Sequence, residues 1–448
     1  MAEEITAKTS FDNLARALRQ RWRRQIKELP LRHTQWHYSR SFRSDDPIQG
    51  WKIHVSATVL SANDVFARVR AILIADDVLF KAPASLELLA QLNAGVAEFS
   101  QVGKFLTVYP RSADEAVQLA QKLHKATRGL EGPEVPFDAR YRKRSLVHYR
   151  YGVFRKDPKA PARFDLVFDS AGKSHQDRRA AGYAIPRWLQ DPFRKAGDNL
   201  NGTRRSSAGP IGRDFLVFKV ITQRGKGGVY EATDLSSSPA RLVIIKEGRQ
   251  DGEISWDGKD GFARVRHEGR VLRELRSGGV PVPEVYREFT QEGNRYLVCE
   301  KVSGRPLLPA SKLQPNKASW RRARRILEQL EGCFSRMHAV GWVWRDCKPW
   351  HIFVHRGKLR LIDFEGACRP AEKLVLPWGS LMYAPKASYE RLGRAPGMKE
   401  DDYALGVVIF QLTTGKFPPA SSQRRKALYQ RAKCPDFLRN RIDELLRS

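Results

Sequence analysis

Cysteine is scarce: five in 448 residues, at 299, 333, 347, 368 and 434, with no Cys-x-x-Cys pair. That excludes a zinc ribbon and a disulfide framework, and it fits a reducing cytoplasm. Acidic residues are few as well, 49 against 80 Lys and Arg, leaving a net charge of +31. A field of that sign favours anionic partners, whether nucleic acid, an anionic membrane, an acidic peptide or a phosphorylated one. Met1-Ala2-Glu3-Glu4 runs into polar sequence with no apolar h-region, and no run approaches membrane-spanning length. Neither a signal peptide nor a membrane partner is expected. Internal repeats and extended low-complexity tracts are missing too. The length suggests two or three domains, with material for two real cores.

One stretch organises the chain: Trp344-Arg345-Asp346-Cys347-Lys348-Pro349-Trp350-His351, closed by Leu361-Ile362-Asp363-Phe364-Glu365-Gly366. Phosphoryl transfer to a hydroxyl needs one acid to orient the hydroxyl and take its proton, and another to hold Mg²⁺ on the phosphates. Asp346 suits the first role and Asp363 the second. Lys348 is placed to reach a phosphate oxygen. Upstream, Phe218 to Ile221 leads into Gly225-Lys226-Gly227-Gly228, a strand–glycine loop pattern whose N–H groups can cover phosphates. Val243-Ile244-Ile245-Lys246 reads as a buried strand ending in a lysine, and a buried ammonium needs an anion. Glu268, on a helical pattern, is the expected partner. Tyr296 to Glu300 resembles the strand and hinge joining the two lobes of a protein kinase.

These pieces, in this order, resemble the protein kinases. Trp378 to Pro385 resembles the end of the activation segment, and Asp402 to Gly406 the start of the central C-lobe helix. Two positions depart from the pattern. His351 stands where the family has an asparagine for the second metal, and imidazole suits softer ions better than Mg²⁺. Lys386 replaces the structural glutamate after Ala-Pro.

The first half carries a second constellation. Residues 10–28 read as a helix, with Ser10 as N-cap, a stripe of Phe11, Leu14, Leu18 and Trp22, and a basic opposite face. Gly50 to Ala57 alternates as a strand, placing Trp51, Ile53 and Val55 on one face and Lys52, His54 and Ser56 on the other. Short apolar segments around Lys81, Lys104, Arg142 and Arg150 each bring a cation. A core domain with converging Lys, Arg and His reads as a site for a dianion.

This set resembles the N-terminal lyase domain of class III lanthionine synthetases (LanKC type), itself related to phosphothreonine lyases. The matching residues are Gly50 to Ala57, Lys81, Lys104 to Pro110, Arg142, Ser145 to Phe154 and Pro186 to Phe193. The resemblance implies an α+β chain: a phosphothreonine-lyase-like domain at 1–194 (its N-terminal helix within 1–30), a linker at 195–213, and a bilobal protein-kinase-like domain at 214–448. It implies ATP- or GTP-dependent phosphorylation of Ser or Thr in a precursor peptide with a leader, using Mg²⁺. β-Elimination to dehydroalanine or dehydrobutyrine would follow. In that scheme Lys81 is the base, kept neutral by burial and neighbouring cations, and His54 the acid, protonated with help from the bound phosphate. Lys52, Lys104, Arg142 and Arg150 clamp the phosphate. Gly225, Gly227, Lys246, Glu268 and Glu300 serve the nucleotide, and Asp363 with His351 the metal.

Full-length members carry a C-terminal cyclase, which is not expected here, so the chain is not expected to form thioether rings by itself; a separate cyclase, an uncyclised product and a shortened chain each stay open. Two other readings stay open. One is a lyase–kinase effector acting on a folded phosphoprotein. The other is a pseudokinase scaffold binding an anionic partner, with steep salt dependence if that partner were nucleic acid. Nucleic acid is disfavoured, since such binding needs none of the ordered kinase residues.

Overall fold

The computed structural model describes residues 11–96, 98–155, 165–177, 183–194, 211–308, 320–370, 372, 375–390 and 397–447. Residues 195–210, most of the expected linker, lie outside the described residues, as does Ser10.

The first unit is a seven-stranded sheet. Its strands are β1 (Leu31–Arg32), β2 (Trp36–Tyr38), β3 (Gln49–Val55), β4 (Leu79–Pro83), β5 (Leu106–Tyr109), β6 (Ala139–Arg140) and β7 (Val147–Val153). Their order is β1-β2-β4-β5-β3-β7-β6, every pair antiparallel. Helices α1 (Phe11–Ile26), α2 (Ala62–Ala75), α3 (Leu86–Ala94) and α4 (Ala113–Ala126) accompany it. Alternation explains β3: Trp51, Ile53 and Val55 all enter the core. The α1 stripe is turned from its expected line. Ala15, Trp22 and Ile26 are buried, whereas Leu14 is exposed. Trp22 sets that rotation, because its indole N–H donates to the Pro83 carbonyl and its ring meets Phe66 and Phe105. The side chains of Ser85 and Ser112 cap α3 and α4 by accepting from the Leu88 and Glu115 amides. The α3 helix stops at Gly95, whose φ of +64° is a left-handed C-cap suited to glycine. A hairpin of β8 (Leu166–Phe168) and β9 (Ser174–Gln176) follows.

The second unit has two lobes. Its sheet is β10 (Phe215–Arg224), β11 (Gly227–Asp234), β12 (Arg241–Gly248), β13 (Val285–Gln291) and β14 (Asn294–Glu300), in the order β10-β11-β12-β14-β13, with α5 (Gly261–Ser277) packed on β12 and β14. The other lobe contains β15 (Arg305–Pro306), α6 (Trp320–Ala339), β16 (Ile352–His355), β17 (Lys358–Leu361), α7 (Ala387–Glu390), α8 (Lys399–Thr414), α9 (Ser422–Arg431) and α10 (Asp436–Leu445). The helix α8 is buried on every side from Ala404 to Leu412 and sits in the centre of the largest core.

Candidate active sites

The cleft between the two lobes gathers the expected acids. Lys246, at the buried end of β12, reaches Glu268 of α5 at 2.7 Å and Asp363 at 3.0 Å. Burial alone would lower the Lys246 pKa, but Asp363 and Glu268 hold it well above its ordinary value. Glu268 also accepts from the Phe364 amide at 3.0 Å, fixing the loop that presents Asp363. Asp346 binds Lys348 Nζ at 2.8 Å, and burial pushes its carboxyl up to about 7 despite that lysine. A carboxyl so placed can exchange a proton near neutral pH. His351 fills the space between the two acids, with Nε2 3.2 Å from Asp363 Oδ2 and Nδ1 3.4 Å from Asp346 Oδ2. Asp346, His351 and Asp363 together offer donor atoms within 4.8 Å of one another, a set that could hold a metal ion.

The second cluster lies across the seven-stranded sheet. Register puts Lys81 opposite Thr107, Thr107 opposite His54, His54 opposite His148, and His148 opposite Arg140. Directly opposed residues share a face, so five strands contribute to one transverse row. Lys52 faces Arg150 one step along the same face. His54 is buried, with Nδ1 2.5 Å from Asp138 Oδ2, which leaves Nε2 as its proton-exchanging atom. Burial lowers the His54 pKa to about 4, with Lys104 and Lys52 adding to the shift and Asp138 opposing it. Burial would raise the Asp138 carboxyl, yet His54 and Lys104 hold it below the carboxylate range. Lys52 is pushed down to about 7 by burial and then by Arg150, with Lys104 and Lys81 contributing. Arg150 is anchored by Asp177 at 2.5 Å. Five basic side chains thus act on one another, balanced by two carboxylates.

The protein kinase domain family matches residues 218–443, and the RamC N-terminal domain family matches residues 10–203. The chain belongs to the protein kinases and carries a RamC N-terminal domain. Probable SapB synthase of Streptomyces coelicolor is 32% identical over 349 residues, 74% of this chain and 37% of that protein. Serine/threonine-protein kinase PknA of Mycobacterium tuberculosis is 31% identical over 214 residues, 46% of this chain and 47% of that protein. The chain spans less than half the length of either relative. The expected pairing of a lanthionine-synthetase-type N-terminal domain with a kinase therefore holds. A kinase domain works with ATP and a divalent metal ion. Among the described residues, no helix is long and apolar enough to cross a membrane.

Within this RamC-type kinase, several residues sit differently from the sequence expectation. Gly225 donates its amide to the Ala94 carbonyl of the RamC domain at 3.0 Å, which commits that N–H away from any phosphate. A Cβ at Gly225 would lie 1.6 Å from the Asn93 carbonyl, so close interdomain approach accounts for this glycine. Gly227 faces the β12 backbone in the same way, with Glu247 O 1.7 Å from its notional Cβ. Lys226 between them pairs with Glu365, beside Asp363. The Glu300 carboxylate is held by Arg360 at 2.6 Å and ties the hinge strand to β17. Arg142 stacks 5.1 Å from the Tyr141 ring, and its charge is felt at His124. Lys81 Nζ lies 4.1 Å from the Trp36 ring centroid.

Three positioning residues escaped sequence reasoning. Asp138 and His148 complete the His54 row; nothing local marks Asp138, whereas His148 stands two residues from Arg150 on one strand face. Asp401 accepts from the Trp344 and Arg345 amides at 2.9 and 2.7 Å and thereby fixes the loop carrying Asp346. The resemblance puts the start of this helix at Asp402, whereas α8 begins at Lys399.

Proposed function

We propose that the chain dehydrates Ser or Thr in a ribosomally made precursor peptide, in the cytoplasm, by phosphorylation followed by elimination. In the kinase cleft Asp346 orients the hydroxyl and takes its proton as the γ-phosphoryl of ATP or GTP is transferred, with Lys348 and Lys246 on the phosphates. Asp363 and His351 would hold the divalent ion, Mg²⁺ or a relative, whose charge offsets that of the phosphates. In the RamC domain Lys81 removes the α-proton. Those electrons form the Cα=Cβ bond, the Cβ–O bond breaks, and His54 Nε2 protonates the departing phosphate. The products are the dehydroamino acid, nucleoside diphosphate and inorganic phosphate.

The observation that carries this reading is the row of Lys81, His54 and Lys52 with Arg150 and Lys104, on the same chain as a formed Lys246–Glu268 pair. A basic pocket built from buried cations suits a phosphate dianion, and a histidine held by a carboxylate suits proton delivery. His54 is neutral at rest, so the bound dianion has to raise its pKa before it can act as the acid.

The test is mass spectrometry of a Ser/Thr-containing precursor peptide with ATP or GTP and a divalent metal. Wild type is expected to lose one water per modified residue. His54→Ala should stop at phosphopeptide and Asp363→Ala at unmodified peptide. Wild type that never adds phosphate with any nucleotide or metal would sink the proposal.

A further inference from the structure

His351 is a neutral-sized link between two acids, and its surroundings set its chemistry. Nδ1 faces two oxygens, the Asp346 carbonyl at 3.2 Å and Asp346 Oδ2 at 3.4 Å. Nε2 faces a third, Asp363 Oδ2 at 3.2 Å. Neutral imidazole has one N–H. With that proton on Nδ1, where two acceptors await it, the Nε2 lone pair points at a carboxylate oxygen. Two lone pairs at that distance repel, and the residue is buried, so water cannot relieve them. The other Asp363 oxygen is already taken by Lys246 at 3.0 Å. A cation shared by Nε2 and Oδ2 resolves the clash. The 3.2 Å gap suits two neighbouring donors on one ion with bonds of about 2.1 Å. The Asp346 contacts to Nδ1 would then be the outer hydrogen bonds that fix a ligating histidine's tautomer.

We propose that His351 Nε2 and Asp363 Oδ2 form a mixed nitrogen–oxygen metal site, so that the cleft takes a borderline transition-metal ion such as Mn²⁺ in preference to Mg²⁺. An all-oxygen set holds Mg²⁺ well, whereas exchanging an oxygen for imidazole nitrogen favours ions further along the divalent transition series. This rests on the reading that the cleft binds a nucleotide with its ion. The donor pair is specific to this chain's His351, and it predicts which metal supports phosphorylation.

The experiment uses the full chain with ADP and Mn²⁺. Pulsed electron paramagnetic resonance reads nitrogen coordinated to Mn²⁺, and competition with Mg²⁺ gives the affinity ratio. Wild type should show directly bound nitrogen, which His351→Asn should lose while still binding ADP. The Mn²⁺ over Mg²⁺ preference should fall by about tenfold in that variant. His351→Gln, a second oxygen donor, should behave like His351→Asn. Mn²⁺ bound with ADP but without nitrogen coupling overturns the inference and leaves the kinase reading intact, with His351 then an imidazolium bridging the two acids. If neither ADP nor any ion binds, the kinase reading fails and takes this inference with it.

Discussion

Lys52 shows how a single position in the basic row connects stability to charge. Burial and Arg150 bring its pKa down to about 7 from an ordinary 10.5. Between those values the unfolded chain binds a proton that the folded chain does not. Stability contributed at this site therefore rises as pH goes from 7 towards 10, and below 7 the charged lysine is tolerated at a cost. Lys52→Met should flatten that rise by up to about 1.4 kcal/mol per pH unit, the value for one linked proton. Hydrogen exchange of the β3 amides at pH 7, 8 and 9 in both proteins checks it, and equal slopes would show that Lys52 is not depressed. Asp138 acts through His54. Asp138→Asn keeps the shape but removes the charge that steadies imidazolium, so elimination from a preformed phosphopeptide should drop about 10²–10⁴-fold in kcat with little change in KM. The alkaline limb of its pH profile should move to lower pH. Unchanged kcat and an unmoved profile would reduce Asp138 to packing. Lys52 and His54 were legible because strand alternation puts both on one face. Asp138 was not, since it lies 84 residues further along and meets His54 only through sheet topology.

At the scale of elements, α8 places the catalytic loop. Asp401, fully buried, accepts from the Trp344 and Arg345 amides and lies 2.9 Å from His338 Nε2. An amide in its place offers one oxygen to three donors and turns an NH₂ towards them. Asp401→Asn should lose about 1.5–3 kcal/mol per charge-assisted bond broken. The loop would shift, and an angstrom of misplacement costs about 10²-fold in rate. The phosphorylation step should slow accordingly, while elimination from a synthetic phosphopeptide stays at the wild-type rate. Equal loss in both half-reactions would mean general unfolding. The sequence pointed to this helix but gave neither of its adjacent aspartates a role. Helical phase decides which of two adjacent acids turns inward, and that phase is set by the core around Leu405 and Phe410 rather than by the acids themselves. The glycine loop was legible as a loop for a similar local reason, yet what Gly225 touches belongs to another domain and has no local signature.

For the molecule as a whole, the informative contact is where the glycine loop meets the RamC domain. Gly225 N donates to Ala94 O, and Arg224 reaches the Val96 carbonyl at 3.1 Å. The residue beneath that contact is Asn93, whose side chain bonds Ala57 O at 2.9 Å, just past β3, and receives the Gly103 amide at 3.1 Å, beside Lys104. A second line runs through Arg249, which donates to Arg224 O at 3.2 Å and covers the Phe99 ring at 5.0 Å. Phe99 in turn meets Phe137, next to Asp138. The loop over the nucleotide cleft and the two flanks of the His54 row therefore share neighbours. Gly225→Ala puts a Cβ where the Asn93 carbonyl stands, so the loop or the end of α3 must move. We expect nucleotide KM to rise about tenfold and elimination from a preformed phosphopeptide to slow as well, although that half-reaction needs no nucleotide. Gly397→Ala is the control, since nothing lies within 4 Å of its notional Cβ. Combining Gly225→Ala with Asn93→Ala should cost less in elimination than the two single effects added together, because both perturb the end of α3 at residue 93. Strict additivity, or a Gly225→Ala protein impaired only in phosphorylation, would mean that the contact holds the domains together without passing anything between them.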